Sequence, residues 1–91
     1  MNTLESFESK IHCLKNIFEK RFGCEFHVDH DPLYNCKVVS VFIKNKDKKS
    51  SVEFEGITIA YIKEFLGEYD IYQILKRREE KIIIFYPKKL C

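Results

Sequence analysis

The chain has 91 residues, 45% of them apolar and 33% charged, with three Gly and two Pro; this length supports one hydrophobic core, and this composition excludes a disordered chain. Sixteen Lys and Arg against 14 Asp and Glu leave a net charge of +2, too balanced to mark a nucleic-acid or membrane binder. No apolar run approaches the roughly 20 residues of a membrane helix, and the first residues, Met1 to Ser6, lack the basic and apolar stretches of an export signal. A cytoplasmic protein without a membrane partner is therefore expected, with Cys13, Cys24, Cys36 and Cys91 as reduced thiols.

Asn2 or Thr3 can cap a first helix, and Asn2 with Glu5 fits a capping box. Leu4, Phe7, Ile11, Leu14, Phe18 and Phe22 recur at steps of three and four, the stripe of an amphipathic helix. Gly23 supplies its left-handed stop, so a helix of about 19 residues is expected. The period then changes to two. Cys24, Phe26 and Val28 point one way, and Glu25, His27 and Asp29 the other, as in a strand. Asp31 to Asn35 contains Pro32 and reads as a turn.

Lys37 to Lys44, Lys-Val-Val-Ser-Val-Phe-Ile-Lys, has apolar residues on both parities, so a strand here needs both faces covered or leaves one face apolar. It reads as the central strand. Asn45 to Lys49 reads as a charged hairpin loop, and Ser51 to Glu55 as a third strand with Val52 and Phe54 turned inward and Gly56 at its end. Ile57, Ile59 and Tyr61 alternate as in a strand, but Ile57, Tyr61 and Phe65 also fit a helix; Gly67 after Leu66 favours a helix from Thr58. Asp70 and Gln73 pair as caps of a further helix with Ile71, Ile74 and Leu75 as its stripe, ending in Lys76-Arg77-Arg78. Lys81 to Tyr86 is a last strand with the apolar run Ile82 to Tyr86, closed by Pro87. No internal repeat or linker is visible. The expectation is a single small α+β domain over residues 1–91, order α-β-β-β-α-α-β, with a mainly antiparallel sheet and a long N-terminal amphipathic helix.

Parity then fixes two sheet faces. If Cys24, Phe26, Val28, Val52 and Phe54 share the core face, the central strand adds Val39, Val41 and Ile43 to it, because a slip of one position inverts a strand. The opposite face carries Glu25, His27, Asp29, Val38, Ser40, Phe42, Glu53 and Glu55, with Phe42 between Glu25 and Glu53 and Ser40 between His27 and Glu55. The last strand would extend it with Ile83 and Phe85 or with its other parity. An apolar anchor rimmed by charge is what an interface presents, and these eight residues are the candidate partner-binding set. A helix covering this face is the plainer alternative.

Chemistry finds less support. His27, Ser40 and Glu55 have triad residue types, but the register puts Ser40 in the middle, where the imidazole belongs. Cys24, His27, His30 and Cys36 are zinc donors by type, yet Cys24 and His27 differ in parity. His27 and His30 beside Asp29 and Asp31 read as strand-end residues rather than a ribonuclease pair. No enzyme, metal or cofactor is expected. Lys44, Lys46, Lys48, Lys49, Lys76, Arg77 and Arg78 form an alternative nucleic-acid-binding set. It follows the shift in charge along the chain, from five basic and six acidic residues over 1–43 to eleven basic and eight acidic over 44–91. The favoured function is non-enzymatic protein binding. By analogy of size and compartment, it takes the form of a cytoplasmic inhibitor of the immunity-protein or phage-inhibitor kind that occludes a toxin or host enzyme; a homodimer or a subunit of a larger complex is the other alternative.

Overall fold

The stripe through Phe7, Ile11, Leu14 and Phe18 forms a helix because its spacing stacks these side chains on one side. Helix α1 spans Phe7–Asn16 and passes into a π-helical turn over Ile17–Arg21. The computed structural model describes residues 7–44 and 48–90, without the side chains of residues 48–50 and 90. The expected caps Asn2, Thr3 and Glu5 therefore lie outside the described residues, as do Asn45, Lys46, Asp47 and Cys91. Ten α-helical and five π-helical residues make the described helix shorter than the 19 or so expected. Gly23, at φ +65°, reverses the chain, and Cys24 N–H donates to the Phe18 carbonyl at 2.8 Å.

Strands β1, Glu25–Asp31, and β2, Cys36–Lys44, form an antiparallel hairpin. Its turn is fixed by chemistry local to it. Asp31 Oδ1 accepts the N–H groups of Leu33 and Tyr34 at 2.8 and 3.3 Å, and Asn35 takes a left-handed φ of 50°, which Asn tolerates better than most residues.

The third strand and the hairpin loop expected before it are corrected. Helix α2 runs over Lys48–Phe65, so Lys48 and Lys49 open a helix and Ser51 to Glu55 continue it. Buried Ser51, Thr58 and Ile62, with Phe54, Ile59, Tyr61 and Phe65 partly buried beside them, recur at helical spacing. Val52, a core residue on the strand expectation, is 65% exposed. The helix expected after Asp70 is corrected too. Tyr69–Lys76 is strand β3, paired with β4, Glu80–Pro87, in a second antiparallel hairpin. Its register shifts between Ile71 and Gln73, where Tyr72 is the extra residue of a bulge. The bulge brings Ile71 and Ile74 to one face although they are three apart, which imitates a helical stripe. A 3₁₀ turn, Lys88–Leu90, follows β4.

The order is thus α-β-β-α-β-β, and the sheet order β1-β2-β4-β3. Phe26, Val39, Val41, Ile43, Ile83 and Phe85 face Leu14 and Phe18 of the first helix and Ile62 of the second in one buried cluster. Both helices therefore lie on one side of the sheet. The smallest dimension, 17 Å, accommodates a sheet and one layer of helices about 10–12 Å across, and among the described residues there is no third layer.

The helix-hairpin unit occurs twice, α1-β1-β2 and α2-β3-β4, about an approximate two-fold axis between antiparallel β2 and β4. Leu14 and Thr58, Phe18 and Ile62, Val39 and Ile83, Val41 and Phe85, each pair at the same separation along the chain, are buried in both units. The repeat is one of structure, with little identity of residues to betray it. Lys81 Nζ donates to Glu55 Oε1 at 2.7 Å and ties α2 to β4.

Two positions in α2 are not optimal for stability. Gly56 sits inside the helix, where it costs about 1 kcal/mol relative to Ala, and an added Cβ meets nothing within 4 Å. Thr58 Oγ1 is buried without a hydrogen-bond partner. Gly56→Ala and Thr58→Val are each expected to raise unfolding free energy by about 1 kcal/mol, measured as a higher urea midpoint at unchanged slope.

Candidate functional site: the outer face of the sheet

With both helices on one side, the other side of the sheet is bare among the described residues. The first cross-strand row is Glu25, Phe42, Ile82 and Leu75, and the second contains His27, Ser40 and Ile84. Asp29 opposes Val38, and Asp70 opposes Tyr86. The pairings of Glu25 with Phe42 and of His27 with Ser40 are those expected from parity. On the other flank of β2 the expectation is corrected: Ile82 and Ile84 stand where Glu53 and Glu55 were placed, because β4 and not residues 51–55 pairs with β2. Glu53 lies exposed on α2, and Glu55 is engaged by Lys81.

The outer face is apolar along its middle. Val38 and Ile82 are 9% and 4% exposed although no helix among the described residues covers them, so their neighbours on the face shield them. His27 stands edge-on to Phe42 with centroids 5.0 Å apart, and its Nε2 lies 3.3 Å from Glu25 Oε2. Ile83 and Phe85, offered as one way of extending the patch, belong to the core; Ile82 and Ile84 extend it instead.

At the end nearest the β1-β2 turn lies a group that sequence reasoning missed. Tyr86 OH donates to Asp31 Oδ2 at 2.5 Å, a reach from β4 to β1 that carries the tyrosine across β2 and over Val38. Tyr72 packs against Tyr86 with centroids 4.3 Å apart, and Tyr34 stands edge-on to it at 6.1 Å. Tyr34 and Tyr72 are 45% and 53% exposed. These three rings come from a turn, a bulge and a strand far apart in the chain, so no local spacing announces them.

The Tyr86 hydrogen bond, with the Tyr34 and Leu33 amides, holds the Asp31 carboxyl below its usual range, while the same bond pushes the Tyr86 phenol up to about 12. Burial pushes Tyr69, whose OH donates to the Lys37 carbonyl at 2.9 Å, up to about 12 as well. Both tyrosines are favoured protonated in the fold, so their contribution to stability is complete below about pH 10 and is lost as pH rises from about 10 to about 12. Asp31 contributes above the ordinary carboxylate range and loses its contribution as pH falls through its lowered pKa. Of the five tyrosines, two are therefore expected to ionise late in an alkaline titration followed by phenolate absorbance. In Asp31→Asn one of those two should return toward about 10.

The opposite end of the face is basic in part. Lys44, Arg77, Arg78, Glu79 and Glu80 line a shallow pocket of about 450 Å³, so the β3-β4 turn brings three members of the alternative nucleic-acid set together. Lys76 is exposed at the end of β3, Lys46 lies outside the described residues, and the Lys48 and Lys49 side chains are not described. Cys24 is buried on the helix side, whereas His27 is exposed on the outer face, so those zinc donors do not converge. Cys13, Cys24 and Cys36 are free thiols, and burial raises the pKa of Cys24. Among the described residues no cluster of three or more His, Cys, Asp or Glu could hold a metal, and no helix is long and apolar enough to cross a membrane. No protein-family model, curated protein or solved structure matches the chain.

Proposed function

We propose that this protein acts without chemistry of its own, by binding another protein through the outer face of its sheet. The observation that carries the reading is the continuous strip of Phe42, Ile84, Tyr86 and Tyr72, left bare while both helices pack on the opposite side. An apolar strip rimmed by Glu25, His27, Asp29 and Asp31 has the makeup of an interface, with an apolar centre and a charged rim. A broad sheet face free of helices suits occlusion, so inhibition of an enzyme or toxin by covering it is the form of action proposed. A second copy of the chain is the other protein that could take the same place.

The nucleic-acid reading has one observation in its favour, the approach of Lys44, Arg77 and Arg78 around a pocket. Glu79 and Glu80 in the same lining offset much of that charge. Capture of partners from the source cell with tagged protein, with and without nuclease, separates the readings. Protein capture should resist nuclease and survive the charge reversals Arg77→Glu and Arg78→Glu. Loss of capture on either treatment, together with RNA or DNA shifts that weaken with salt, would replace the protein partner with a nucleic acid. Light scattering of the purified chain shows whether the partner is a second copy.

A further inference from the structure

We infer that the tyrosine group at the acidic end of the outer face receives a cationic side chain of the protein partner, an arginine before a lysine; this rests on the protein-binding reading above and names what that partner must present. Tyr34, Tyr86 and Tyr72 form a row of rings with centroid separations of 6.1 and 4.3 Å. Tyr86 is fixed by its bond to Asp31, and the backbone that carries Tyr34 by the turn that Asp31 Oδ1 holds. Rings held in advance lose little freedom on binding.

Exposed tyrosine faces could stack on a nucleobase or on a guanidinium, and charge decides between them. Asp31 lies at the centre of the row, Asp29 is the next outer-face position on β1, and Asp70 opposes Tyr86 on β3. Three carboxylates repel phosphates and attract cations. A guanidinium can stack on an aromatic face and also direct its N–H donors at a neighbouring carboxylate, which a compact ammonium does less well. Asp31 already accepts three hydrogen bonds and acts chiefly as a fixed negative charge; Asp29 is exposed and supplies the free acceptor.

The test uses the full chain and three probes: the peptide acetyl-Gly-Arg-Gly-Arg-Gly-amide, the same peptide with citrulline for arginine, and a thymidine hexanucleotide. Amide and aromatic NMR shifts are followed during titration. The arginine peptide should move the resonances of Tyr34, Tyr72, Tyr86 and Asp31. Citrulline, equal in shape but uncharged, should bind at least about tenfold more weakly, as loss of a charged partner next to carboxylates requires. Tyr72→Ala, at an exposed edge position that leaves the fold intact, should weaken the arginine peptide severalfold, and Tyr72→Phe should restore it. Tyrosines unmoved by the arginine peptide, equal binding of citrulline, or a preference for the hexanucleotide would each overturn the inference. If the peptide binds at the tyrosines while no protein is captured through Phe42, the cation site stands and the protein-partner reading fails. The converse pair of results rejects this inference alone.

Discussion

Phe18→Ala is expected to remove about 3–5 kcal/mol of stability, the range for truncating a buried aromatic. Phe18 is fully buried in the π-helical turn, stacked on Phe26 at 5.7 Å and edge-on to Tyr61 at 5.9 Å. It joins the first helix, the sheet and α2 at one point, so no single element can collapse into the cavity. A domain of this size has about 5–14 kcal/mol in total, so the variant should lie near the limit of folding. Val52→Ala is the informative companion. At 65% exposure on α2 it should change stability by no more than about 0.5 kcal/mol, whereas a strand over residues 51–55 would make Val52 core. Urea unfolding of both variants decides, and a costly Val52→Ala would refute the helix and with it the bare outer face.

Phe42→Ala has the largest expected effect on binding. Interfaces concentrate their energy in a few desolvated anchors, aromatic ones above all, and loss of one weakens a complex by about 2 kcal/mol or more, roughly 30-fold. Phe42 is half-buried and lies between Glu25 and Ile82, touching His27 at its edge. Its truncation should therefore lower stability by no more than about 1.5 kcal/mol while raising the dissociation rate. Glu25→Lys at the rim should instead slow association in a manner that salt removes. Glu53→Lys, on the helical layer, should change neither rate. A Phe42→Ala protein that unfolds, or binds as the parent does, would move the interface elsewhere.

The first half of the fold was legible in the sequence because its information is local. Period-two alternation and a short turn set the register of β1 against β2, and Glu25 pairs with Phe42 and His27 with Ser40 as parity requires. Three later features misled. Val52 and Phe54 alternate by accident on a helix whose burial repeats at Ser51, Thr58 and Ile62. The bulge at Tyr72 changes the phase of β3, so that Ile71, Ile74 and Leu75 have helical spacing although they lie on a strand. The neighbour of β2 on its far side is β4, reached only after α2 and β3, and nothing local in β2 identifies it. The candidate face was correspondingly half visible: Val38, Ser40 and Phe42 lie on it, whereas Ile82 and Ile84 came from an element whose position was unknown. The tyrosine group was hidden for the same reason, its three rings meeting only once two hairpins share a sheet.

The claim that the outer face is the working surface is tested most directly by photo-cross-linking in the source cell, with p-benzoylphenylalanine placed at position Tyr72, at position Phe42 and at position Val52. Position 42 lies within β2 and position 72 at the bulge of β3, both on the outer face, whereas position 52 is exposed on the helical layer. One discrete protein adduct is expected, shared by positions 72 and 42, resistant to nuclease and absent from position 52. An adduct from position 52 alone, or an outer-face adduct that nuclease destroys, would contradict it.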